Sequence, residues 1–168
     1  MGRLLLHSLD TVWTTSNGGV LSVAVDGATT VDGSGSNRLA ATAAAQNAYV
    51  EWTPPLPIDL RGFDELRLWV LGTRRAEGTA AAPFQLELSF TDVNDEPSEQ
   101  HRWYVPVNRG GVWEQRRIGI ARDRRSAVNR VRFTCLTALP FTCFLDELLA
   151  VREEMLLDVE SELALRLG

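Results

Sequence analysis

The sequence predicts an all-β fold, an antiparallel two-sheet sandwich with a C-terminal α-helical extension. Three observations carry that prediction. Short apolar runs separated by turn residues recur along residues 4–151. Several of those runs alternate apolar and polar side chains, the signature of a half-buried strand. The one convincing helical spacing begins only at Arg152. The 168 residues, 45% hydrophobic and 23% charged, suit a single domain, because one core usually serves roughly 100–200 residues. The expected organisation is a β-sandwich over residues 1–151 and an amphipathic helix or arm over 152–168.

The strands follow in order. Leu21, Val23 and Val25 share one parity and run into Asp26-Gly27. The stretch from Ala40 to Ala48 is alanine-rich, and fits either a helical turn or a strand of small side chains. Leu66-Arg67-Leu68-Trp69-Val70-Leu71 alternates loosely, whereas Phe84-Gln85-Leu86-Glu87-Leu88-Ser89-Phe90 alternates strictly. Trp103, Val105 and Val107 share a parity, and so do Ile118 with Ile120 and Val131 with Phe133 and Cys135. Turn signals stand between them at Asn17-Gly18-Gly19, Asp32-Gly33-Ser34-Gly35, Pro54-Pro55, Asn94-Asp95 and Asn108-Arg109-Gly110-Gly111. Arg74 to Pro83 reads as a long connection. The intervals lack helical periodicity, which argues against a βαβ architecture. A hairpin of Val128–Thr137 with Phe141–Val151 around Leu139 would set Cys135 opposite Cys143, where a cross-strand disulfide fits. Two reduced core thiols are the expected state. In the tail, Leu156, Val159, Leu163 and Leu167 fall at helical spacing, with acidic residues mostly elsewhere. About four turns is marginal for an isolated helix, so this stripe needs a surface, either on its own sandwich or on a neighbouring subunit.

Charge is segregated along the chain. The net charge is −5, and Asp146 to Gly168 alone holds seven acidic residues against two arginines. Upstream, nine arginines between Arg102 and Arg132 face only Glu114 and Asp123, and the chain has no lysine. Arginine pairs bidentately with carboxylates, so Arg124 and Arg125 are read as meeting acidic partners, including another copy's tail. A nucleic-acid partner is not expected, because the chain is acidic overall. No apolar run approaches the roughly 18 residues of a membrane span. The run at Met1–His7 is too short for a secretory signal, so synthesis in the cytoplasm is expected.

Enzyme chemistry finds little support. The chain has two histidines, His7 and His101, no Gly-x-Ser-x-Gly elbow, and no lysine for a phosphate-binding loop. Carboxylates such as Glu87 with Glu51 or Asp64 read as a solvated strand face. Asp92-Val93-Asn94-Asp95-Glu96 opens like a calcium loop, but Pro97 stands where the glycine belongs, so it reads as a hairpin turn. No cofactor and no catalytic residue is assigned.

A resemblance enters through scattered residues: Asp10 and Trp13; Val31-Asp32-Gly33-Ser34-Gly35-Ser36; Ile58 to Val70; Gly111-Val112-Trp113 before Arg117-Ile118-Gly119-Ile120; Val128 to Phe133; and Phe144-Leu145-Asp146-Glu147-Leu148. In that order they resemble the galactose-binding-like jelly rolls, the sandwich of many carbohydrate-binding modules, over about residues 8–151. The resemblance implies a jelly-roll sandwich of around eight strands. It also implies Asp10 and Asp146 as holders of a structural calcium, the alternative being capped strand ends; no metal ligand is assigned. Met155 to Leu167 is similar to helical openings of phage tail proteins.

Two functional readings follow. The first is a non-enzymatic structural or adaptor subunit of a larger, virion or phage-tail-like assembly, docking other protein subunits through Leu156, Val159, Leu163, Leu167, Arg124 and Arg125. The second is a carbohydrate-binding module. Strand parity would place Trp69, Tyr104, Arg67, Gln85 and Glu87 on one outward face if their three strands were neighbours, a platform for a glycan.

Overall fold

The computed structural model describes residues 2–77, 82–90, 102–120 and 127–152. They form eleven strands: β1 (Gly2–His7), β2 (Thr14–Thr15), β3 (Leu21–Asp26), β4 (Ser36–Ala41), β5 (Tyr49–Trp52), β6 (Glu65–Gly72), β7 (Phe84–Phe90), β8 (Arg102–Val105), β9 (Glu114–Gly119), β10 (Val128–Cys135) and β11 (Phe141–Arg152). Among the described residues there is no helix, and hence none long and apolar enough to cross a membrane. The expected C-terminal helix, with Leu156, Val159, Leu163 and Leu167, lies outside the described residues, as do Arg124, Arg125, His101 and the Asp92–Glu96 turn.

Among the described residues every strand pairing is antiparallel, and the strands divide into two sheets in a jelly-roll-like arrangement. One sheet runs β3-β4-β11-β6-β9, with β1 pairing the second half of β11. The other runs β2-β5-β10-β7-β8. Alternation explains the packing: Leu66, Leu68 and Val70 of β6 turn inward, as do Phe84, Leu86 and Leu88 of β7 and Val131, Phe133 and Cys135 of β10. A single core cluster fills the space between the sheets. Its aromatic end stacks Trp13 on Phe133, with ring centres 5.3 Å apart. His7 meets the edges of Trp13 and Trp52 there.

The Val128–Thr137 and Phe141–Val151 hairpin does not form. β10 is already flanked by β5 and β7, and β11 by β4, β1 and β6, so neither has an edge left for the other. The connection Leu136–Pro140 therefore carries the chain from one sheet to the other. Cys135 and Cys143 face the core from opposite sheets as free, buried thiols, and burial pushes both pKa values up. The alanine-rich stretch resolves into the end of β4 at Ala40–Ala41 followed by turns.

Candidate functional site

The outer face of the β2-β5-β10-β7-β8 sheet carries two cross-strand rows of polar and aromatic side chains. They follow from register, because residues directly opposite on one face have neighbouring side chains. The first row reads Tyr49 (β5), Thr134 (β10), Gln85 (β7), Tyr104 (β8). The second reads Glu51, Arg132, Glu87, Arg102 across the same strands, with Thr14 of β2 beyond Glu51. All point away from the core, since Val50, Phe133 and Leu86, their neighbours of opposite parity on the same strands, are buried inside it.

The second row alternates in charge and is closed by contacts. Arg132 donates from Nε and Nη2 to Glu51 Oε2 at 3.1 and 2.9 Å. Arg102 Nε lies 3.1 Å from Glu87 Oε1, and the Thr134 hydroxyl donates to Glu87 Oε2 at 2.8 Å. The Arg132 guanidinium also lies over the Tyr49 ring, 3.6 Å from its centre, a cation–π stack that fixes both groups. Glu87 is only 5% exposed. Glu51 and Glu87 thus stand on either side of Arg132 and are committed to ion pairs, a poor arrangement for a general acid and base. Tyr104, at the other end of its row, is 48% exposed.

The sequence-derived platform is split by the topology. Gln85, Glu87 and Tyr104 come together on this face. Trp69 and Arg67 do not join them, because β6 lies between β11 and β9 in the other sheet. There Trp69 is half-buried opposite Asp146 and Gln115, and Arg67, 5% exposed, pairs with Glu65. Parity tells which face of its own sheet a side chain takes, but not which sheet the strand joins. Tyr49, Glu51, Thr134, Arg132 and Arg102 are members that sequence reading did not assign to the platform; the alternation of Tyr49-Val50-Glu51 was one available signal. The run of arginines is likewise dispersed. Arg102 and Arg132 lie on this face, Arg117 is exposed on β9, and Arg116 donates to the Pro106 carbonyl and pairs with Glu114. Arg102, Arg116 and Arg132 pair with carboxylates of the same chain, whereas Arg124 and Arg125 lie outside the described residues.

Asp10 and Asp146 pin the Val31–Gly35 loop. Asp146 Oδ2 accepts from the amides of Val31 and Asp32 at 2.6 and 3.2 Å, and Asp10 Oδ1 from that of Gly35 at 3.2 Å. Burial, with Asp10 nearby, raises the Asp146 pKa. Asp146 Oδ1 is buried without a hydrogen-bond partner, beside a hollow of about 50 Å³. Calcium asks for roughly six to eight oxygens. No three potential metal-binding side chains gather among the described residues, and amide protons occupy one oxygen of each carboxylate. The two carboxylates cap the loop, and no third metal-binding side chain joins them among the described residues.

A second feature adjoins the first row. At the end of the sheet where β10 finishes and β7 begins, a half-open cleft of about 520 Å³ is lined by Gln46, Glu77, Ala82, Tyr104, Leu136, Thr137, Ala138 and Leu139.

No family model matches the chain, and no curated protein sequence matches it either. Solved structures do. A family 11 carbohydrate-binding module from Clostridium thermocellum, in complex with a β-1,3-1,4-mixed-linked tetrasaccharide, superposes with a TM-score of 0.64 at 10% identity, covering 90% of this chain and 96% of that one. A family 30 carbohydrate-binding module gives 0.64 at 18% identity, covering 91% and 100%. A low-affinity xylan-binding module from Roseburia intestinalis gives 0.58 at 14% identity, covering 91% and 97%. The chain has a carbohydrate-binding-module-like jelly-roll fold.

Proposed function

We propose that this protein is a non-catalytic glycan-binding module whose site is the outer face of the β2-β5-β10-β7-β8 sheet. The observation that carries the reading is the double row, in which Tyr49 and Tyr104 flank Thr134 and Gln85 beside the Glu51-Arg132-Glu87-Arg102 ladder. Aromatic rings offer apolar area to the C–H faces of a sugar, and a limited set of fixed polar groups orients its hydroxyls. Tyr49 and Tyr104 are three strand spacings apart, about 14 Å at roughly 4.8 Å each, room for a short stretch of glycan chain lying across the strands. The superposing modules are described as binding carbohydrate, which supports the same reading by analogy of fold.

The test is a glycan array carrying β-glucans and xylans, followed by titration of whichever ligand binds. Tyr104→Ala should lose most of the affinity, whereas Trp69→Ala, on the other sheet, should retain it. Loss with Trp69→Ala alone would move the site to the opposite face, and no binding to any glycan would overturn the proposal. The alternative, a structural subunit of a virion or phage-tail-like particle, depends on residues 153–168 with Arg124 and Arg125, which lie outside the described residues. No specific observation favours it over glycan binding.

A further inference from the structure

We infer that the cleft at the end of the sheet takes a side branch of the bound glycan, so that the preferred ligand is a branched polysaccharide rather than a plain linear one. This rests on the glycan-binding reading of the sheet face. The argument is one of position first. Tyr49 is the first residue of β5, Gln85 the second of β7 and Thr134 the last but one of β10. The tyrosine row therefore runs along the very end of the sheet. The cleft walls come from connections leaving that same end: Gln46 before β5, Ala82 before β7, and Leu136 to Leu139 after β10. Tyr104 lines both the row and the cleft.

Direction decides between a branch and a continuing backbone. A glycan backbone laid along the row crosses the strands and would leave the sheet over β8 or over β2 beyond β5. The cleft lies instead along the strand direction, to the side of that path, where Gln46, Ala82 and Leu136 to Leu139 stand two to five residues along the chain from the row members of their own strands. Only a substituent projecting sideways from the backbone enters it.

The cleft's size and chemistry suit such a group. Its volume of about 520 Å³ falls in the range of roughly 300–1,000 Å³ typical of small-molecule sites. Ala82, Leu136, Ala138 and Leu139 give an apolar lining, and Leu139 is 47% exposed at the tip of the sheet-to-sheet crossover. The Glu77 carboxylate, Gln46 amide and Thr137 hydroxyl stand on the same cleft, so apolar ring faces and hydroxyls each find a partner.

The experiment is calorimetric titration of the full chain with two matched pairs of oligosaccharides. One pair is a linear β-1,4-glucan hexasaccharide and its xylose-branched counterpart; the other is a linear xylan hexasaccharide and its arabinose-branched counterpart. In the pair whose backbone binds, the branched member should bind about tenfold tighter. Ala138→Trp, which fills the cleft from an exposed position, should reduce the branched ligand to the affinity of the linear one. Binding of the linear ligand to that variant also certifies its fold. Equal or weaker binding of the branched member, or an advantage that survives Ala138→Trp, would overturn the branch site while leaving the sheet face standing. Failure of all four ligands to bind the unaltered chain would overturn the sheet-face reading for these backbones, and the branch site with it.

Discussion

Arg132 shows how a strand residue becomes part of a binding surface. Its guanidinium is held between the Tyr49 ring and the Glu51 carboxylate, so three side chains share one conformation before any ligand arrives. A partly exposed ion pair contributes up to about 1 kcal/mol, and a surface cation–π contact about 0.5–1 kcal/mol. Arg132→Ala should therefore lower stability by about 1–2 kcal/mol in denaturant unfolding yet weaken glycan binding about tenfold or more, because Tyr49 and Glu51 lose their fixed orientation. Arg132→Lys keeps the charge but not the planar stack, and should recover only part of the affinity. Full recovery in Arg132→Lys would show that charge alone matters. His7 makes a different prediction. It accepts the Leu9 amide at Nδ1, 2.8 Å away, and lies against Trp13 and Trp52. Burial lowers its pKa, and Asp10 only partly opposes that. A folded pKa below the unfolded value means that the unfolded chain binds the proton more readily. His7 therefore costs no stability above its ordinary pKa of about 6.5, and stability falls as pH drops from there through the lowered value. Unfolding between pH 7 and 5 should be steeper in the unaltered protein than in His7→Gln, whose amide can still accept from Leu9.

At the scale of elements, pairing and crossover carry the information that residue patterns lack. Gly72 ends β6 against Cys143, and a Cβ there would sit 2.6 Å from Val107 Cγ1, 2.7 Å from the Arg74 carbonyl oxygen and 2.9 Å from Phe141 Cζ. Gly72→Ala should destabilise by about 1–3 kcal/mol through overpacking, measured by thermal or denaturant unfolding. An unchanged midpoint would mean that the β6–β9 end can spread without cost. The Asp146 and Asp10 caps on the Val31–Gly35 loop lead to a metal-removal test. With Asp146 Oδ2 and Asp10 Oδ1 each bonded to backbone amides of the loop, 1 mM EDTA or added Ca²⁺ should leave the melting temperature unchanged; a shift of several degrees with Ca²⁺ would overturn the capping account. Strict alternation made β7 legible, and looser alternation sufficed for β3, β6 and β10. The short β2 and the chain-terminal β1 were not legible, because two residues show no period and Leu4-Leu5-Leu6 shows no alternation. The platform was half legible for the same reason. Outward parity found Gln85, Glu87 and Tyr104, but the sheet to which β6 belongs is fixed by its long-range pairing with β11, which a one-dimensional pattern does not encode.

On the scale of the whole molecule, the question is which surface of the sandwich is used and whether the tail is needed for it. All members of the described core cluster lie between Leu9 and Ala150, and β11, central in its sheet, pairs with β1 as far as Gly2 opposite Arg152. The sandwich thus closes on itself at Arg152. A chain ending there should unfold cooperatively with a midpoint close to that of the full chain, and should bind the same glycan, since Tyr49, Arg132, Glu87 and Tyr104 all remain. Light scattering on the two forms then separates the functional readings. If both are monomers of equal affinity, the module works alone and the acidic, leucine-rich tail is dispensable to it. If the full chain self-associates and the shortened one does not, Leu156, Val159, Leu163 and Leu167 act in assembly. Glycan affinity on a multivalent surface should then rise in the full chain without any new contact to sugar, because linked sites raise the effective concentration.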